Sequence, residues 1–404
     1  MTTLDCDVAI VGGGLAGATL ALALRHTPLR VIVIEAVTDQ ARLASGAGDR
    51  ALALALGTVE LLDGLGLWAG ARDKAAPIHD IHVSDRGHFG KTRISAKQEK
   101  VHALGYVIAA RELERQAMAA MDGVSIQRIQ PARVIGAKAG PEHICITVRL
   151  ADDSECHVNA KLLVGADGGE SSVRRLLEIG ETVTDYGQVA VTTVVKPERD
   201  PRGVAFERFT PEGPLAMLPT EARCCALVWT RKPEQAETLL GLSESRFTEE
   251  LQQAFGHWLG RLTLCAPRRA FPLRLIRAER LTAPRAALIG NAAHQLHPIA
   301  GQGFNLGLRD AMRLAELLAA AQGDAGSPAL LQQYAADRGK DHDRVIGFTD
   351  SMVKWFSNEQ PVATVARNIG MLLLDHIPVA KHFLARQAMG RLWRRPQLPL
   401  QRRP

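Results

Sequence analysis

The stretch Gly12-Gly13-Gly14-Leu15-Ala16-Gly17 decides the fold. It follows a short apolar run rich in β-branched residues, Cys6–Val11, which predicts a buried parallel strand. It opens an Ala/Leu-rich segment, from Leu15 to about His26, that predicts a helix. A second apolar run, Arg30–Ile34, ends at Glu35. Strand, glycine turn, helix and strand in this order make the start of a βαβ unit. Gly12 permits the tight turn, Gly14 lets a pyrophosphate approach the backbone, and Gly17 lets helix and strand pack closely. The helix N-terminus offers unpaired N–H groups and a partial positive charge to a phosphate. Glu35, about 20 residues on, stands where a carboxylate takes the ribose hydroxyls of an adenosine. This motif fits FAD and NAD equally.

Further along, Ile78–Ile94 alternates around Asp85-Arg86-Gly87 and predicts a hairpin. Ala110–Met121 predicts a helix, and Val124–Val164 predicts three antiparallel strands with turns at Ala139-Gly140-Pro141 and Asp152-Asp153-Ser154. Residues 179–267 read as mostly strands, with one helix near Glu244–Leu259. Ala286–Ile289 reads as a buried strand, Gly307–Ala321 as a helix, and the chain from Pro328 as helical. The expected class is α/β. A discontinuous Rossmann-like cofactor-binding domain is expected from 1–77, 98–178 and 268–340. A mixed β-sheet substrate domain is expected from 78–97 and 179–267, and a C-terminal helical segment from 341–404.

A chain of 404 residues is long enough for roughly two to three domains. No apolar run approaches the roughly 18 residues a membrane-spanning helix needs. The first apolar stretch lacks a basic n-region and runs into the glycine motif, so no secretory signal is expected. The six cysteines form no C-x-x-C pair, and a reducing cytoplasm is the simplest location.

Two further motifs carry chemistry. Gly165-Ala166-Asp167-Gly168-Gly169-Glu170-Ser171-Ser172-Val173-Arg174 follows a strand at Leu162–Val164 and opens a helix. Alone it reads as an Asp-Gly turn with a Ser cap. Gly290-Asn291-Ala292-Ala293-His294 is followed by His297-Pro298-Ile299-Ala300-Gly301-Gln302-Gly303-Phe304-Asn305. The pair His294 and His297 lacks the third ligand and the general-base Glu of H-E-x-x-H, so no metal site is expected. Together the three motifs resemble the aromatic-ring flavoprotein monooxygenases of the p-hydroxybenzoate hydroxylase fold. That family's later signatures read D-G-x-x-S-x-V-R and G-D-A-A-H…P…G-Q-G-x-N.

The resemblance implies non-covalent FAD. It places Asp167 and Gly168 against the pyrophosphate, and Gly290 and Asn291 at the ribityl chain. His297, Pro298, Gly301, Gln302, Gly303 and Asn305 are placed in the loop beneath the isoalloxazine ring. Asn291 stands where the family has an acid; it keeps hydrogen bonding without the charge. Arg50 and Arg111 fall near positions that contact the pyrophosphate or adenine, or else are surface ion pairs.

Asp49-Arg50-Ala51-Leu52-Ala53-Leu54, Ile81–His88, Asn291 and Ala366-Arg367-Asn368-Ile369-Gly370 resemble one subgroup. These are the 2-polyprenyl-6-methoxyphenol hydroxylases of ubiquinone biosynthesis. The implied reaction uses O2 and reduced FAD to form a flavin C4a-hydroperoxide that hydroxylates an electron-rich polyprenyl phenol. The cofactor carries the difficult step, and no side chain is identifiable as acid or base. Gly64-Leu65-Gly66 precedes no suitable helix, so the donor, NADH or NADPH, has no second fingerprint; it binds transiently or a separate reductase supplies electrons. Alternatives are an isoprenoid double-bond reductase and a non-catalytic FAD-bound subunit.

Other ubiquinone-biosynthesis proteins are possible partners, and nucleic acid is not expected. A polyprenyl phenol is met at a bilayer or received from a carrier. Residues 381–404 carry Lys381, Arg386, Arg391, Arg394, Arg395, Arg402 and Arg403 with no Asp or Glu. With Phe383, Leu384, Leu392 and Trp393 beside them, they suit an anionic membrane surface at the inner face of the membrane. The alternative is that this segment packs on the protein.

Overall fold

The computed structural model describes residues 3–124, 126–356, 361–392 and 396. The first sheet centres on Thr3–Val11, which pairs in parallel with Val31–Ile34 and with Glu155–Gly165. Gln127–Ile129 and Ala286–Leu288 extend it in parallel on either side. Ala132–Ala139 and Ile144–Leu150 run antiparallel to each other, the latter also to Glu155–Gly165. The central strands are buried on both faces, which is why they read as continuous apolar runs rather than alternating ones.

Helix α1 (Leu15–Leu24) is buried at nearly every position, as expected of a helix apolar all round. The chain continues through α2 (Asp39–Ala44), α3 (Leu56–Gly64), α4 (Ala110–Asp122) and α5 (Ser172–Leu176). Gly64 ends α3, and Gly66 turns the chain with φ +80°. Gly12 has φ +103°, and a Cβ on Gly17 would overlap the Gly12 carbonyl oxygen. Helix α1 thus leaves the strand with no room for a side chain between them.

The second sheet has nine strands among the described residues. Its order is His294–Gln295, Arg269–Ala278, Glu181–Pro197, Cys225–Arg231, Gly213–Pro219, Val204–Thr210, Asp80–Asp85 and Lys91–Ser95, with Leu262–Leu264 also on Glu181–Pro197. Asp80–Asp85 and Lys91–Ser95 are the expected hairpin. One face packs on α6 (Pro233–Gly241) and α7 (Glu244–Phe255), around Trp229, Phe247 and Leu251. The other face lines a cavity. The last helices are α8 (Gln302–Ala320), α9 (Pro328–Phe356), α10 (Pro361–His376) and α11 (Pro378–Ala388).

Several expectations are corrected. Helix α6 was not anticipated. Helix α8 begins five residues before Gly307, which lies within it. Gly307 serves the packing instead: a Cβ there would come within 2.9 Å of the Gly290 Cα. Arg269–Ala278, expected in the cofactor-binding unit, belongs to the second sheet. The 17-residue strand Glu181–Pro197 pairs with Cys225–Arg231 on one edge and leaves its other edge for this strand. The boundary expected at 340/341 falls inside α9.

The basic C-terminal stretch is partly folded onto the body. Lys381 pairs with Asp375 and Arg391 with Glu60, while Leu384, Ala385 and Met389 join a core cluster with Ile78 and Leu104. Trp393, Arg394, Arg395, Arg402 and Arg403 lie outside the described residues. Among the described residues no helix is long and apolar enough to cross a membrane.

Gly17→Ala forces the helix off the strand. The expected cost is at the upper end of the range for overpacking, about 3 kcal/mol. It is checked by denaturant unfolding, and an unchanged midpoint would contradict the packing described.

Candidate cofactor and substrate site

A cavity of about 1930 Å³ runs between the two sheets' territories. This exceeds the 300–1,000 Å³ or so of an ordinary small-molecule pocket. Of the residues expected at the site, Gly12, Gly14, Glu35, Arg50, Asp167, Gly168, Gly290, Asn291, His297, Pro298, Gly301, Gln302, Gly303 and Asn305 line it. Gly17 and Arg111 do not. Gly17 packs inside the βαβ unit. Arg111 pairs with Asp49 at 2.8 Å and donates to the Ser45 carbonyl, and so holds the 45–50 loop from outside. Arg269 pairs with the same Asp49.

Two long helices begin at the cavity. The N-cap of α1 is Gly14 and that of α8 is Gly301, at φ +60°, and neither offers a side-chain cap. Neither first turn carries an acid. Each leaves backbone N–H groups and the positive end of a helix dipole for an anion. A Cβ on Gly14 would meet only the Arg42 guanidinium, at 3.2 Å, and one on Gly168 or Gly303 would meet nothing within 4 Å. These bare backbones, joined in one cavity by three motifs, fit an elongated phosphate-bearing cofactor such as FAD.

Glu35 accepts from Gly13 N at 2.6 Å and Val37 N at 3.0 Å, and pairs with Arg42. Arg42 therefore bridges the acid and the phosphate turn. No motif announces it, since it lies on α2, outside the glycine pattern. Asp167 does not extend freely into the cavity. Its carboxylate accepts from Ser171 Oγ, Ser172 N at 2.7 Å, Ser172 Oγ and Val173 N, and so shapes the turn that exposes Gly168, at φ +90°. Asn305 is similarly committed: it accepts from Ala55 N and donates to the Ala53 and Gly301 carbonyls. It ties the strand Ala51–Ala55 to the loop expected beneath the flavin. Arg174, buried, donates to the carbonyls of Gly169 at 2.7 Å and Ala292 at 2.8 Å and pairs with Glu181. It locks the second motif to the third.

The largest polar cluster lies behind the third motif. Asp310 of α8 is fully buried. One carboxylate oxygen receives Gly290 N at 3.1 Å and His294 Nε2 at 2.9 Å; the other receives Arg338 Nε at 2.7 Å and His342 Nε2 at 2.8 Å. Burial alone would raise the Asp310 pKa, but His342, Arg338 and His294 together hold it well below the usual carboxylate range. Burial lowers His294 to about 4. His294, Asp310 and His342 lie close enough to hold a metal. However, His294 Nε2 and His342 Nε2 already hydrogen-bond to the Asp310 carboxylate, and a cation there would face the Arg338 guanidinium. Asp310 and Arg338 were not singled out in the sequence; the available signal was an Arg-Asp pair in the middle of an otherwise Leu/Ala-rich helix.

His297 is buried and lowered to about 4 by that burial, so it is neutral near pH 7. Its Nδ1 accepts from Ile299 N at 3.2 Å, and its ring lies edge-on to Tyr186. Burial, with Asp350 nearby, pushes Tyr186 up to about 12. His297 and His294 serve separate hydrogen-bond systems.

Residues 5–349 match the family described as FAD binding domain, and the chain belongs to it. Over 402 residues it is 38% identical to ubiquinone hydroxylase UbiL of Rhodospirillum rubrum, covering 97% of this chain and 91% of that one. It is 31% identical to the 3-demethoxyubiquinol 3-hydroxylase of Escherichia coli, covering 96% and 100%. The fold matches that of p-nitrophenol 4-monooxygenase PnpA from Pseudomonas putida, with a TM-score of 0.79 at 19% identity over 96% of this chain and 99% of that one. The chain has the p-hydroxybenzoate hydroxylase-like fold expected of it, and it is an FAD-dependent monooxygenase.

Removing the Asp310 charge leaves the buried Arg338 with Asp341 alone, an acid it shares with Arg309. Asp310→Ala is expected to cost about 3–5 kcal/mol. In the wild type, the depressed pKa contributes stability that is present above the ordinary Asp range and lost as pH falls toward the folded-state value. Asp310→Asn should abolish that acid-limb dependence, as read from melting temperature against pH.

Proposed function

We propose that this protein hydroxylates a polyprenylated phenol in ubiquinone biosynthesis, using FAD, O2 and NADH or NADPH. The observation that carries this reading is a single cavity shared by the phosphate-binding turns and the apolar face of the second sheet. Gly12, Gly14 and the N-terminus of α1 would hold the pyrophosphate with Arg42 beside it. Glu35 would face the adenosine ribose, Asn291 the ribityl chain, and the Gly301–Gly303 turn at the start of α8 the flavin ring. Bound FAD would supply the oxygen-activating chemistry. The chain's own residues orient the ring and exclude water. The N-terminus of α8 favours negative charge where the ring would sit.

The remainder of the cavity suits an isoprenoid chain. Ile81, Val83, Ile94 and Leu218 line it from the sheet, and Met371, Leu374 and Leu384 from α10 and α11. Each methylene buried there contributes about 0.8 kcal/mol. On the outer side of these same helices Leu373 (53%), Val379 (80%) and Phe383 (58%) are exposed, with Ile377 beside them. This apolar rim next to the cavity-lining Leu374 and Leu384 supports peripheral contact with a bilayer, reinforced by the basic residues of 386–404.

The purified chain should bind FAD non-covalently, and Gly14→Val should abolish binding while leaving a folded protein by circular dichroism. A geranylated methoxyphenol should stimulate NAD(P)H oxidation with matching O2 uptake. Turnover only under anaerobic conditions would point instead to a double-bond reductase.

For the membrane contact, flotation with anionic liposomes should lift the wild type. Val379→Asp with Phe383→Asp should lose at least about tenfold in the bound fraction, as two charges near the membrane interface cost a few kcal/mol. Equal flotation of both proteins would remove α10 and α11 from the contact.

A further inference from the structure

Glu207 lies on the sheet wall of the cavity, four strands along one row from the next charge, Arg269, which pairs with Asp49. Glu207 is on the strand Val204–Thr210, opposite Val83 on one neighbouring strand and Ala216 on the other. The row continues to Thr92 on one side and to Val228 and Thr192 on the other, and every member lines the cavity. Among the described residues, Glu207 is the only ionisable side chain that these six strands present to it. It makes no hydrogen bond or ion pair among the described residues, although a carboxylate in apolar surroundings is costly unless it is partnered.

Its position is defined relative to the flavin loop. Two residues along the same strand, about 7 Å away, is Phe209. Phe209 clusters with Ile299 of the loop 297–303, and Val83, the direct cross-strand neighbour of Glu207, packs on that cluster. The row that holds Glu207 therefore adjoins the part of the cavity where loop and sheet meet.

We propose that Glu207 is the group that receives the substrate's phenolic hydroxyl: its carboxylate accepts the O–H hydrogen bond and takes the proton as the ring becomes electron-rich. This assignment rests on the aromatic-substrate reading above. In the step the phenol O–H bond breaks and a carboxyl O–H forms. The electron pair stays on the phenolic oxygen, and the neutral acid then donates to that oxygen until the proton is returned when the product is released. Nothing is oxidised or reduced in this transfer.

The surroundings leave the carboxyl free to act. Burial raises it from the usual carboxylate range to about 7, and no neighbouring charge contributes. A base with such a value is matched to proton transfer near neutral pH. The titratable groups on the surrounding elements are otherwise engaged; Asp85, two residues from Val83 on the same face, accepts from the Asn368 amide. Arg208 on the strand of Glu207 and His82 on the adjacent one point to the opposite face, and Arg208 feels Arg86 and Asp85. His297 on the flavin loop is neutral, and Asp350 on α9 pairs with Tyr186. Among the described residues, α10 and α11 line the cavity with Met371, Leu374, Leu384, Gln387 and Ala388.

The test compares the wild type, Glu207→Gln and Glu207→Asp, each loaded with FAD. The probes are 2-geranyl-6-methoxyphenol and its methyl ether, which cannot donate. Binding is read from the perturbation of flavin absorbance across pH, and turnover from stimulated NAD(P)H oxidation. In the wild type, the preference for the phenol over the ether should grow about tenfold as pH rises through about 7, the charge-assisted bond being stronger. Glu207→Gln should keep its FAD content, show a pH-independent preference, and lose at least about tenfold in turnover. Glu207→Asp should recover the pH dependence. A purely structural role would change none of these profiles. Identical pH dependence in the wild type and Glu207→Gln overturns the assignment alone. No response of the wild type to either probe overturns the aromatic-substrate reading, and the assignment with it.

Discussion

The buried carboxylate of Asp310 is the constraint on which the rest of the site depends. It receives four donors from two separate pieces of chain: the start and end of the run Gly290–His294, and two residues of α9. Because it projects from α8, the same helix whose N-terminus opens on the cavity, it fixes that terminus relative to the loop at Gly290. Arg338, paired also with Asp341, supplies the compensating charge. A cluster of this kind adds little net stability over an apolar core, but it tolerates few alternative arrangements. Its value here is the geometry it imposes on the third motif.

That geometry is completed by close backbone approaches. Gly17 against Gly12, and Gly307 against Gly290, bring α1 and α8 nearer to their neighbours than any side chain would allow. The consequence is electrostatic. Two uncapped helix N-termini lie at one cavity, and their unpaired N–H groups are positioned before any ligand arrives. Arg174 and Asn305 then hold the connecting turns through backbone carbonyls and amides rather than through the cavity itself. The polar groups that look most like ligand contacts in the motifs, Asp167 and Asn305, spend their hydrogen bonds on the protein and leave bare backbone facing the cavity.

This explains how far the sequence could be read. The βαβ unit was legible because its glycines are local in sequence and its strands, covered on both faces, are apolar throughout. The hairpin Asp80–Asp85 with Lys91–Ser95 was legible from alternation around a turn. The membership of Arg269–Ala278 was not, because edge pairing with a 17-residue strand is a long-range choice with no local signature. The start of α8 was misplaced because glycine-rich sequence reads as loop, whereas Gly303 and Gly307 are helical, and at Gly307 the missing side chain lets backbone approach the Gly290 backbone. Arg42, Asp310 and Glu207 were missed for one shared reason: each acts through a partner or surface brought near by the fold, not by spacing.

The two ends of the cavity are treated by opposite physical rules, and each makes sense of the other. Around the cofactor motifs every buried charge is paired, as Glu35 with Arg42 and Asp310 with Arg338, so that the environment is fixed and costs no rearrangement when an anion binds. Along the sheet the wall is mostly Val, Ile, Ala, Leu, Phe and Thr, with Glu207 unpaired among them and Arg269 at the far edge paired with Asp49. Such a wall would suit a long apolar chain. In that low-polarity setting the one carboxyl is pushed toward neutrality instead of being held as a permanent anion. A permanent anion would repel the negative charge that the α8 terminus is built to favour. A carboxyl that is neutral when it needs to be, and charged when a donor approaches, is compatible with both ends of the same cavity.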